Sequence, residues 1–247
     1  MRIENQEFST DLELFRTEVE SAIQCFYTWD AIHTVAASDK KVFRLLNQAP
    51  LFWNTSLGAL QTSTIVALGR IFDPDPKSHS ITRLLKIAQA DLSIFSKAAL
   101  AARKRAQSNN ADEWLPKYLL TVYEPSNEDF RRLKRHVAKR RKLYEEKYQP
   151  LRHKVFAHRE VLNQVEVADL SAKTDIRELQ QILIFLRKTY ETLWELYFNG
   201  QKPLLRAARF SVQRMLDVTS PTLGRATLQE RLVHETRHFL STHSKDA

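Results

Sequence analysis

Four glycines in 247 residues set the first limit on what this chain can become. Sandwiches and barrels reverse direction every few residues, and their tight turns draw on residues that tolerate positive φ. Eight prolines do not make up the deficit. Hydrophobic residues at 43% and charged residues at 27% are ordinary for a folded chain, so disorder is not the alternative. Helix remains, and the expectation is an all-α fold: a helical bundle with a C-terminal helical extension.

The apolar spacing says where the helices fall. Phe8, Leu12, Phe15, Val19, Ala22, Phe26 and Trp29 recur at intervals of four and three, predicting a long helix that ends near Ser38. Thr10-Asp11-Leu12-Glu13 reads as a capping box at its start. A second helix is predicted over residues 51–72, where Asp73-Pro74-Asp75-Pro76 stops it. Past a polar loop at 77–80, a short helix begins at Ile81 and another covers 92–106. Ser126-Asn127-Glu128-Asp129 opens a basic helix, with a kink or break expected at Pro150. Ile176, Leu179, Leu183, Leu186, Tyr190, Leu193 and Tyr197 form a second stripe, which Asn199-Gly200 suits as a left-handed stop. Amphipathic helices over 203–216 and 225–242 close the chain. The division expected is one helical domain over residues 1–200 and an extension over 201–247 packed on or near it.

Cys25 has no partner for an intramolecular disulfide and reads as a buried core thiol. The first twenty residues carry acids throughout, unlike a secretory signal. The purely apolar runs, such as 182–186, fall far short of the roughly 18 residues that span a bilayer. A cytoplasmic protein without a membrane partner is expected. Few glycines also mean no phosphate-cradling loop, which argues against a nucleotide-dependent kinase or a Rossmann enzyme.

The formal net charge of +9 is concentrated. Between Arg131 and Arg159 lie twelve basic residues: Arg131, Arg132, Lys134, Arg135, Lys139, Arg140, Arg141, Lys142, Lys147, Arg152, Lys154 and Arg159. Only Glu145 and Glu146 oppose them, so the rest of the chain is close to neutral. A localised positive field suits a polyanion such as nucleic acid. The plain alternative is a solvated helix face that keeps the protein soluble.

Within that stretch, Leu151-Arg152-His153-Lys154-Val155-Phe156-Ala157-His158-Arg159-Glu160 sets an arginine six residues before a histidine. The pair suits phosphodiester cleavage without metal: histidine moves protons near neutral pH, and arginine holds phosphate and the charge that develops on it. On a regular helix the two lie roughly 120° apart. Arginine's reach, a helix distorted near Pro150, or a composite site across a dimer would each reconcile them.

This segment resembles the R-x(4–6)-H signature of the HEPN superfamily, with His153 in the polar slot after the arginine. Upstream, Ile65-Val66-Ala67-Leu68-Gly69-Arg70-Ile71-Phe72-Asp73 and Ser80-Ile81-Thr82-Arg83-Leu84-Leu85 are similar to the corresponding stretch of AbiU-like abortive-infection HEPN proteins. The resemblance covers residues 8–200. It implies a homodimeric helical bundle and a metal-independent endoribonuclease needing no cofactor, in which the RNA 2′-hydroxyl attacks and leaves a cyclic phosphate. Arg152 would hold phosphate, His158 would be the acid/base, and His153 would orient or assist. Arg70 and Asp73 would support the site or simply pair at the helix end. An antitoxin or operon partner belongs to the same picture. Some HEPN branches are non-catalytic, so a module that only binds nucleic acid or a partner protein is the alternative. A remote third reading is a zinc metalloprotease, because His234-Glu235-Thr236-Arg237-His238 matches H-E-x-x-H. Against it stand Arg237 beside the metal position and a downstream stretch offering only His243 as third ligand.

Overall fold

The computed structural model describes residues 3–153, 174–208, 210–217 and 226–245, and all regular structure among them is helical. The order is α1 (Ile3–Ser38), α2 (Lys40–Gln48), α3 (Pro50–Ile71), α4 (Ile81–Ala90), a 3-10 turn (Leu92–Phe95), α5 (Lys97–Gln107) and α6 (Ala111–Leu119). Then come α7 (Asn127–Lys147), the single turn α8 (Gln149–Leu151), α9 (Ile176–Asn199), α10 (Val212–Asp217) and α11 (Leu228–His243). The all-α expectation holds. No helix among the described residues is long and apolar enough to cross a membrane.

Interleaved segments form two compact units. The first comprises Met1–Thr17, Arg70–Lys147 and Ile176–Ala208. Its core gathers the start of the first apolar stripe, Phe8, Leu12 and Phe15, with Leu84, Leu85, Phe95, Phe130, Leu133, Leu186 and Tyr197, all buried. Phe8 meets Phe95 edge-on at 5.1 Å between ring centroids and Tyr197 at 5.0 Å, spacings that favour aromatic pairs. Buried Arg103 ties this core together. It donates to the Ile94 carbonyl at 2.8 Å and the Tyr197 carbonyl at 2.7 Å, and lies 4.0 Å over the Tyr197 ring. The second unit comprises Glu18–Gly69, Tyr148–Asp175 and Arg209–Ala247. Here Val19, Ala22, Ile23, Phe26 and Tyr27 continue the stripe, with Leu68, Leu151, Val212, Val233 and Leu240 among the buried residues.

Several boundaries differ from the sequence reading, most for a local reason. The first helix begins by Ile3, so Thr10–Glu13 lies inside it and caps nothing. Phe8, fully buried, belongs to the same stripe, and its burial carries the helix back past the would-be cap. The helix expected over 92–106 is two elements, because Ser96 is extended and its hydroxyl accepts from the Ala99 N–H as the N-cap of α5. The segment expected as a helix from 203 is irregular to residue 208, and helix resumes only at Val212. Nothing in the structure explains why 203–208 does not wind, since proline suits a first helical turn. Two helices went unread, α2 and α6. The first is headed by Asp39, which accepts from Lys41 N–H at 2.8 Å; the second carries Pro116 inside it. Cys25 is half-buried rather than buried, and that burial raises its thiol pKa against a bond with Ser63 that lowers it.

Candidate functional site

The basic helix α7 is built from its first turn. Tyr123 hydroxyl (2.8 Å), Ser126 N–H (2.9 Å) and Ser126 hydroxyl (2.9 Å) all donate to one oxygen, Oδ2, of the buried Asp129. Burial would raise that carboxyl's pKa. The bonds from Ser126 and Tyr123, with the nearby Arg132 cation, outweigh it and hold the group below its ordinary value. Phe130, Leu133, Val137 and Tyr144 form the buried face. The other face exposes Arg131, Arg132, Arg135, Lys139 and Lys142.

Part of this charge is answered locally. Glu128 pairs with Arg131 at 3.3 Å and Arg135 at 3.0 Å, and Arg141 pairs with Glu145 at 2.7 Å. The Glu128 pairs are exposed and weak, while Arg141–Glu145 is part-buried. Arg132 and Lys139 make no ion pair among the described residues. Arg140 lies over the Phe185 ring at 5.6 Å. Lys134 donates to Gln89 of α4; burial, with the Lys86 ammonium adding to it, lowers its pKa. Of the other cations expected at a nucleic-acid face, Lys154 and Arg159 lie outside the described residues.

The basic helix breaks at Tyr148, just ahead of Pro150, as the proline suggested. After the single turn α8, Arg152 N–H donates to the Tyr148 carbonyl at 2.9 Å, and at Arg152 and His153 the backbone winds in the wider π manner. Such winding is rare and recurs at functional sites. It is a distortion where the regular helix would have splayed the motif, and His158 itself lies outside the described residues. His153 is half-buried.

Arg152 is also half-buried, and it lies against α3 at Gly69. A Cβ placed on Gly69 would stand 2.5 Å from Arg152 Nε, 2.6 Å from Cζ and 2.7 Å from Cδ. The arginine therefore occupies space that any other residue at 69 would claim. Its Nε is buried and has no hydrogen-bond partner among the described residues. Of the residues expected in support, Arg70 is exposed in the last turn of α3. Asp73 turns inward to the following loop, its Oδ1 accepting from Asp75 N–H at 2.9 Å.

A polar cluster that the sequence reading passed over lies in the first unit. Asp11, with its side chain only 3% exposed, accepts from His79 Nδ1 at 2.7 Å and from Arg83 Nε at 2.8 Å. Arg83 also reaches Glu7 at 2.7 Å and the Pro76 carbonyl at 3.3 Å. The signal available was an acid set among Phe8, Leu12 and Phe15 on a buried stripe, where an unpaired carboxylate is costly.

On α11, His234 and His238 lie one turn apart, the first half-buried and the second exposed. Among the described residues no three His, Cys, Asp or Glu side chains gather as metal ligands do.

No curated protein and no solved structure matches the chain. A family model does: HEPN_AbiU2, described as AbiU2, matches residues 5–239, a span that includes the helices after residue 200. With the match running through nearly every element described above, from α1 into α11, the chain belongs to the AbiU2 family of HEPN proteins.

Proposed function

We propose that this chain is a metal-independent endoribonuclease, an effector of growth arrest in abortive infection or in a toxin–antitoxin pair, working as a homodimer. The observation that carries the reading is the seat of Arg152: a half-buried guanidinium packed on bare glycine backbone where the chain winds widely. An arginine held in that way is preorganised to receive a phosphate rather than left to wander in solvent. In the reaction, Arg152 holds the scissile phosphate. His158 takes the proton from the 2′-hydroxyl, whose oxygen attacks phosphorus and expels the 5′-oxygen of the next nucleotide, and that departing oxygen takes up a proton from the imidazolium so formed or from solvent. The products are a 2′,3′-cyclic phosphate and a 5′-hydroxyl. His153 orients or assists, and the exposed cations of α7 draw RNA to the protein.

The test is cleavage of a mixed structured and single-stranded RNA pool with excess chelator, by the wild type and by His158→Ala of matched helicity. Chelator-resistant cleavage that disappears in the variant supports the proposal. Equal cleavage by both removes it. A second reading, a non-catalytic module that binds RNA or an operon partner, draws on α7 alone, since its exposed cations attract a polyanion whether or not Arg152 and His158 act on it. Under that reading, RNA binds to both proteins and neither cleaves.

A further inference from the structure

We propose that the cleft between the 73–80 loop and α4 is a subsite for one unpaired nucleobase of an RNA strand, with Arg83 as its stacking platform. This rests on the reading of the protein as RNA-acting and adds where a base would be held. The cleft has a volume of about 440 Å³ and is lined by Glu7, Pro74, Pro76, Arg83, Lys86 and Ile87 among others. That is within the range of roughly 300–1,000 Å³ typical of small-ligand sites.

Three features set it apart from a surface dent. Its wall is rigid: Asp73 accepts from Asp75 N–H at 2.9 Å and Asp75 from Lys77 N–H at 2.8 Å, two successive Asx turns. Pro74 and Pro76 stiffen the same loop, and the Ser80 hydroxyl caps α4 by accepting from Arg83 N–H at 3.4 Å. Its platform is fixed as well. Arg83 has all three guanidine nitrogens engaged, Nε by Asp11, Nη2 by Glu7 and Nη1 by the Pro76 carbonyl. An arginine with its edges so committed offers its flat face. A guanidinium plane is a recurrent stacking partner for unpaired bases, and Pro74, Pro76 and Ile87 add apolar lining to the same cleft. Finally, the rim carries one cation without an ion pair among the described residues, Lys86, beside the carboxylates of Glu7 and Asp75, and it stands on α4, which packs against the basic helix. Lys86 is exposed at the cleft on α4, the helix whose Gln89 accepts from Lys134 of α7. A strand lying on α7 thereby meets a phosphate-binding lysine at the mouth of a base-sized cleft.

The test compares binding of AMP, GMP, CMP, UMP and ribose 5-phosphate to the full chain, by calorimetry or NMR, with binding of a short single-stranded RNA. Ala90→Trp fills the cleft from an exposed position, and Lys86→Glu reverses the rim; both are checked for native helicity. Nucleoside monophosphates should bind at least tenfold tighter than ribose 5-phosphate, and each variant should weaken them tenfold or more. Ala90→Trp should leave the salt dependence of RNA binding in place, while Arg132→Glu with Lys139→Glu should reduce that dependence and spare the monophosphates. Ribose 5-phosphate binding as well as AMP overturns the subsite. So does an unaffected Ala90→Trp, or no saturable monophosphate binding at millimolar concentrations. Monophosphates binding without RNA would sink the RNA reading and leave the cleft a nucleotide site.

Discussion

Gly69→Ala separates what the seat of Arg152 does for folding from what it does for chemistry. Gly69 is in the last turn of α3, where alanine favours the helix over glycine by at most the about 0.5–1 kcal/mol of a helix interior. Against that gain stands the new Cβ, 2.5–2.7 Å from three atoms of Arg152. Carbon atoms pack comfortably near ~3.5 Å, so the guanidinium has to retreat by about 1 Å. The atoms met belong to the far part of a flexible, half-buried side chain, which can swing away while the helix stays as it is. Stability should therefore hold or rise by up to about 1 kcal/mol, read as the urea midpoint by circular dichroism. RNA cleavage should fall by about 10²-fold, the usual consequence of a 1 Å misplacement in a catalytic group. A variant that cleaves at the wild-type rate shows that the glycine seat does not position a catalytic arginine. A loss of several kcal/mol shows instead that residue 69 answers to packing.

Asp129→Asn removes a charge that receives three hydrogen bonds at the head of α7, and should cost about 1–2 kcal/mol at neutral pH in urea unfolding. Because the folded carboxyl titrates below its ordinary value, its contribution is complete above the unfolded value and is lost as pH falls through the folded one. The gap between wild type and variant should thus close in acid. Lys139→Glu changes an exposed residue without an ion pair among the described residues, so stability should move by less than about 0.5 kcal/mol, while Arg132→Glu sets an acid beside Asp129 and should cost more. The slope of log affinity for single-stranded RNA against log salt should become shallower by about 0.7 for each phosphate that the protein no longer neutralises. Thr227→Ala removes the hydroxyl that accepts from Glu230 N–H at 3.4 Å in the capping box of α11, and should lower the thermal midpoint by the equivalent of about 1 kcal/mol.

The parts of the fold that could be read in advance are those where one physical signal dominates. The two long apolar stripes placed α1 and α9, and the Asp-Pro run placed the end of α3, because periodicity and missing backbone donors act locally. What escaped depended on partners distant in sequence or on single polar side chains. Ser96, inside an apolar-looking run, divides one expected helix because its hydroxyl is worth more as a cap. Asp11 looked like part of a cap and is instead the buried acceptor for His79 and Arg83, about seventy positions away. The site divides in the same manner. The Arg152–His158 spacing is visible in one dimension, whereas the reason Arg152 needs a glycine at 69 is the close packing of α3 against the turn after α7.

The most direct measurement is the product of the reaction. RNA is incubated with the wild type, Arg152→Ala and His158→Ala in excess chelator, and the new 3′ ends are identified by mass spectrometry. The wild type should leave 2′,3′-cyclic phosphate ends, and either variant none above background. Wild-type cleavage leaving 3′-hydroxyl ends, or cleavage undiminished without Arg152 and His158, contradicts it.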